Sequence, residues 1–157
     1  MLRAAITTMI VSACFTPAVA QVNLSGDWRP TGKFATEEKY IDVASIDYAK
    51  SEVRVARLES SPRALVTVWI DVKHIDCAAK THATTYGLMM YPGSTEMRGM
   101  NVFDPQYPIN FAPRAGLVGQ DVEIAAYRAV CLRKLPSKDV SFPDFSTLYW
   151  DWRRRNP

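Results

Sequence analysis

Between Trp28 and about residue 100, short segments alternate apolar and polar positions with a period of two. Val53-Arg54-Val55-Ala56-Arg57-Leu58 alternates as a half-buried strand does. The clearest strand is Ala64–Val72, with Val66, Val68, Ile70 and Val72 on one face and Leu65, Thr67, Trp69 and Asp71 on the other. Its β-branched and aromatic content predicts a central place in a sheet. Trp28 opens the first structured segment, Tyr40-Ile41-Asp42-Val43 is a short strand, and Ile75–Thr85, Tyr86–Tyr91 and Met97–Phe103 continue the β-rich pattern. Pro30-Thr31-Gly32, Ser60-Ser61-Pro62 and Pro92-Gly93-Ser94 carry the proline, glycine and serine content of turns. Asp104–Gly116, with Pro105, Pro108 and Pro113, reads as an irregular edge or loop.

The period then lengthens. Gln120–Leu135 has helical composition, with Asp121 and Glu123 early, Arg128, Arg133 and Lys134 late, and Pro136 as a stop. Ile124, Tyr127 and Cys131 form one stripe at helical spacing, and Val122, Ala125, Ala126 and Ala129 form a second, smaller apolar face. Two apolar faces imply cover from both sides, and the aromatic residues of Phe142–Trp152 are placed to supply it. Short strands followed by one helix predict an α+β fold: a mainly antiparallel meander with a single C-terminal helix.

The first twenty residues differ in kind. Arg3, the apolar run from Ala4 through Val11 and Phe15, and Ala18-Val19-Ala20 before Gln21 match a secretory signal cut after Ala20. That run is shorter than the roughly 20 residues a bilayer span requires. Val11-Ser12-Ala13-Cys14 offers a second possible cut, of lipoprotein type, with Cys14 lipidated. Either cut removes Cys14 from the domain's pairing choices and leaves Cys77 with Cys131, which an oxidising compartment joins. That bond would tie the Cys131 stripe of the helix to the sheet. The expected organisation is a signal over 1–20, an α+β domain over 21–136 and a tail over 137–157 that packs on the domain.

The formal charge of +3 falls to +2 once Arg3 is lost, a balance that gives no reason to expect nucleic-acid binding. No G-x-S-x-G, H-E-x-x-H, phosphate-loop or dinucleotide glycine pattern occurs, so no enzyme and no cofactor is expected. His74 and His82 would lie about 26 Å apart along a continuous strand, too far to share a metal unless the chain turns between them. Asp71, His74 and Asp76 are conceivable as a base with orienting carboxylates, but solvent-facing or turn positions explain them as well. In the tail, Trp150, Trp152, Arg153, Arg154 and Arg155 combine ring stacking with positive charge and form a candidate contact surface. Met89, Met90, Met97 and Met100 fit either core filling or an adaptable surface.

The order of Trp28, Tyr40-Ile41-Asp42-x-x-Ser45-Ile46, Val66-Thr67-Val68-Trp69, Asp76-Cys77, Pro113 and Tyr127-Arg128-Ala129-Val130-Cys131 resembles the bacterial surface-adhesin protein E-like domain over Trp28–Leu135. The resemblance implies a curved antiparallel sheet with a C-terminal helix tied to its concave face by the disulfide. Asp42 or Ser45 would turn the chain by bonding its backbone. It also implies an exported envelope protein that acts by contact with another protein or an envelope component. A periplasmic carrier or enzyme using the concave face, and a structural subunit of an envelope complex, are the alternatives.

Overall fold

The computed structural model describes residues 24–157 apart from 95, 103 and 113. The two candidate export cuts, Cys14 and Pro113 therefore lie outside the described residues. Strand β1 spans Ser25–Phe34, β2 Glu37–Asp47, β3 Glu52–Glu59, β4 Val68–Asp76 and β5 Thr81–Met90. Each pairs antiparallel with the next, as short turns between consecutive strands require. Four shorter strands complete the sheet: β6 Arg98–Asn101, β7 Tyr107–Pro108, β8 Leu117–Gly119 and β9 Phe142–Asp144. The spatial order is β6-β5-β4-β3-β2-β1-β8, with β7 on β5 and β9 on β1. The antiparallel meander stands.

Pleating sorts the side chains of this sheet into two cores. On one side Trp28, Tyr40, Ala56, Leu58, Val68, Ile70, Leu88 and Met90 pack against Phe145, Leu148 and Trp152. Those last three belong to helix α2, Phe145–Arg155. On the other side Ile41, Val53, Val55, Ile75 and Ile109 pack against helix α1, Val122–Leu132. The chain is thus a sheet between two helices, one more helix than its pattern predicts. The tail escaped that reading because its stripe of Phe145, Leu148 and Trp152 alternates with charged and polar residues over only three turns.

Several boundaries move, each for a physical reason. Pro30-Thr31-Gly32 is a bulge within β1, and the turn is Ala35-Thr36. Gly32 is needed there because a β-carbon would sit 2.5 Å from the Gln120 carbonyl oxygen. The predicted strand Ala64–Val72 starts later, at Val68, and continues to Asp76, because Pro62 and Arg63 turn the chain before it. Ile75–Thr85 is two strand ends around a turn over 77–80, whose first amides donate to Asp76 Oδ1. The helix is shorter than Gln120–Leu135: Asp121 caps its start by accepting from the Val122 amide, and Arg133, with φ of 53°, ends it in the left-handed region.

The small face of α1 is the buried one. Val122, Ala125, Ala126, Ala129 and Val130 meet the sheet, while Ile124, Tyr127 and Cys131 line its margin. Alanines let the helix backbone approach the sheet closely, so the flank carries the larger side chains. From that flank Cys131 bonds Cys77 in the β4–β5 turn, with Cα atoms 5.5 Å apart. Within the resemblance motif, Asp42 Oδ1 accepts from the Asp27 and Ala44 amides at 2.8 and 3.1 Å. Ser45 Oγ donates to the Asp42 carbonyl and accepts from the Arg54 amide, both at 2.8 Å. These bonds hold the irregular stretch between Asp42 and Asp47 of β2.

Candidate ligand cavity

Helix α1 covers only part of its side of the sheet. Beyond its N-terminus, neighbouring rows of buried and half-buried side chains on β2 to β5 border a cavity instead of packing on the helix. Register places Lys39, Arg57, Trp69 and Met89 in one row, Val55, Asp71 and Gly87 in the next, and Lys73 with Thr84 in a third. Val122 and Glu123 of α1 wall this floor on one side, and Met100, Val102 and Asp104 wall it on the other. Together they enclose a cavity of about 290 Å³.

Its charges are arranged in short-range pairs. Lys39 Nζ donates to Asp121 Oδ1 at 2.8 Å, with Glu37 Oε2 at 3.9 Å. Lys73 Nζ donates to Thr84 Oγ1 at 2.8 Å and stands 3.6 Å from Asp71 Oδ2. The Arg57 guanidinium lies 4.0 Å from the centre of the Trp69 ring, a cation–π stack, with its nearest carboxylate, Glu37, at 3.8 Å.

Burial bends the acidity of these groups. It raises the Asp71 carboxyl above its ordinary value, against the pull of Lys73 and Arg57. Burial, then the neighbouring Asp121, likewise raises Glu123. Asp121 goes the other way. Burial works against its ionisation, but hydrogen bonds from Glu123 and Lys39 outweigh it and take its carboxyl down to about 2. The two carboxyls are thus pushed apart, Asp121 toward the charged form and Glu123 toward the protonated one.

The residues singled out from the sequence are placed as follows. Trp152 is in the core on the α2 side, 1% exposed, whereas Trp150 is 58% exposed. Arg155 Nη1 donates to Glu38 Oε1 at 3.0 Å and Nη2 to Tyr40 Oη at 3.3 Å, which pins the end of α2 to β2. Arg153 and Arg154 face solvent. The five residues therefore do not form one surface. Asp71 faces the cavity, while His74 and Asp76 fall on the other phase of β4, so that trio is not assembled. The chain does turn between His74 and His82, but their registers put them on opposite faces. Met89 and Met100 line the cavity, and Met90 is in the α2-side core.

Lys39, Arg57, Lys73 and Glu123 were not among the residues singled out, yet a signal for them exists. Arg57 is in phase with the buried Val53 and Val55, and Asp71 and Lys73 are in phase with the buried Ile75. Charge in phase with a core face marks a place where that core stops. A second, larger open groove of about 890 Å³ runs along α1 past Arg114, Gln120 and Arg128. There Arg114 lies 3.8 Å from the Phe34 ring centre and 3.9 Å from Asp121 Oδ2. Comparison with protein-family models, with curated proteins and with solved structures finds no match.

Proposed function

We propose that the mature chain is an exported, non-enzymatic binding domain of the cell envelope that receives a small ligand on the α1 side of its sheet. One observation carries this reading: the α2 side of the sheet is closed by a continuous core, while the α1 side leaves a cavity floored by Lys39, Arg57, Asp71 and Lys73. Charged side chains are seldom placed in line with a core unless they are paired or used. Export rests on the residue pattern of 1–20 together with the Cys77–Cys131 bond, which an oxidising compartment maintains. The likeness to adhesin E-like domains supports an envelope setting.

Equilibrium dialysis of mature protein against the small-molecule fraction of an envelope extract tests the reading. A retained compound that Gly87→Val releases is the expected result. Gly87 suits the purpose because it lines the cavity and a β-carbon there meets Asp71 Oδ1 at 3.4 Å and Val102 Cγ2 at 3.5 Å, so a larger side chain takes up cavity space. Equal retention by both proteins, or none by either, would refute it.

A specific feature favours a second reading, contact with a partner surface. Trp150, Arg153 and Arg154 lie at spacings of three and four on the solvent side of α2. Such a stripe suits an acidic surface. If it serves this purpose, replacing all three by alanine abolishes retention on acidic polysaccharide or anionic vesicles and leaves stability unchanged.

A further inference from the structure

We propose that the cavity beside Trp69 is a carboxylate site, taking a small organic acid whose carboxylate meets Arg57 and Lys73 and whose compact apolar body lies against Val55, Met89 and Met100. The inference rests on the small-ligand reading above and names its ligand class. It starts from a count of hydrogen-bonding capacity. Arg57 has five N–H donors and makes no hydrogen bond among the described residues, its nearest carboxylate being 3.8 Å away. Lys73 spends one donor on Thr84, and Asp71 at 3.6 Å is beyond hydrogen-bond length. Lys39 spends one donor on Asp121. The floor of the cavity therefore holds surplus donors, and an acceptor-rich ligand satisfies them.

Geometry narrows the acceptor. The Arg57 guanidinium carbon lies 4.0 Å from the Trp69 ring centre, which anchors the group over the ring, and none of its N–H groups is hydrogen-bonded among the described residues. A guanidinium edge presents two parallel N–H groups that match the two oxygens of a carboxylate. The acidic residues compete weakly for the same donors. Burial disfavours the charged form of Asp71, and burial and the neighbouring Asp121 disfavour that of Glu123. Asp104 on the wall is exposed to solvent, Asp71 already faces Lys73 and Glu123 already faces Asp121, so Arg57 and Lys73 remain the groups with donors to offer.

The remaining lining sets the body of the ligand. Val55, Val122, Val102, Met89 and Met100 are apolar, and methionines adapt to varied shapes. A volume of about 290 Å³ is at the small end for ligand pockets, which admits a compact metabolite and not a lipid or a peptide.

The test is an NMR titration of the mature, disulfide-bonded protein with benzoate, benzyl alcohol and inorganic phosphate. Benzoate is expected to shift the signals of Trp69 and Gly87 saturably, with a Kd of about 1 mM or tighter. Arg57→Gln should weaken benzoate at least tenfold, a loss of about 1.4 kcal/mol. Gly87→Val should abolish its binding. Arg57 is partly exposed and outside both cores, so its variant stays folded even if Gly87→Val does not. Phosphate binding as tight as benzoate would overturn the proposal in favour of a bare oxyanion site. Benzyl alcohol binding as tight as benzoate, and lost in Gly87→Val, would overturn the carboxylate while leaving the binding cavity standing. No saturable shift at Trp69 with any probe would overturn both.

Discussion

Asp42 shows how one residue of the resemblance motif stabilises the fold. It is fully buried, accepts two backbone amides and pairs with Arg54 Nη2 at 2.6 Å. Gly26 packs directly on its carboxylate, where a β-carbon would collide. Removing one partner of a buried pair costs about 3–5 kcal/mol, so Asp42→Ala should lower the urea midpoint by that equivalent with an unchanged slope. The Asp121–Glu123 pair makes a prediction of opposite sign for its two members. Asp121, held low, adds stability that is present above its ordinary value of 3.8 and lost as pH falls toward about 2. Glu123, held above its ordinary 4.5, contributes fully below that pH and loses its contribution as pH rises through the raised value. Glu123→Gln should therefore gain stability relative to the parent as pH rises from about 4.5 through that raised value, as read by thermal unfolding at each pH. A difference that does not change with pH would contradict the raised pKa of Glu123.

At the scale of elements, legibility followed the strength of the local period. Strand β3 and the helix beginning at Asp121 were readable because Val53 and Val55 repeat at the strand spacing of two, and Val122, Ala126 and Ala129 at the helical spacings of four and three. The turn between β4 and β5 was hidden, because Asp76-Cys77-Ala78-Ala79-Lys80 has neither proline nor glycine and relies on Asp76 to accept the turn amides. Helix α2 was hidden by its polar composition, and only the sheet shows which of its aromatics are core. It follows that two tryptophans two positions apart behave differently. Trp152→Ala should cost about 3–5 kcal/mol by denaturant unfolding, as core aromatics do, and Trp150→Ala about 0.5 kcal/mol or less. Equal losses would show that the helix is not seated on the sheet through Phe145, Leu148 and Trp152.

For the whole molecule, the disulfide and the two-sided sheet act together. Cys77 and Cys131 are 54 positions apart, and closing a loop of that size removes unfolded-state entropy worth about 4 kcal/mol on the chain-entropy account. Replacing both cysteines by alanine should lower stability by about that amount and loosen α1 first, seen as faster amide exchange in Val122–Leu132 than in β3 and β4. The cavity depends on that helix, since Val122 and Glu123 form one of its walls. The site itself was only partly legible: Asp71 and the methionines drew notice as polar or adaptable residues, but Arg57, Lys73 and Lys39 become a site only through cross-strand register. A sheet closed on its α2 face and open to a ligand on its α1 face places Trp69 apart from Trp28 and Trp152. The indole N–H spectrum of the mature protein, recorded while the envelope small-molecule fraction is added, reads both faces at once. Trp69 should shift saturably while the buried Trp28 and Trp152 stay fixed; movement of Trp28 and Trp152 with Trp69 unmoved would contradict it.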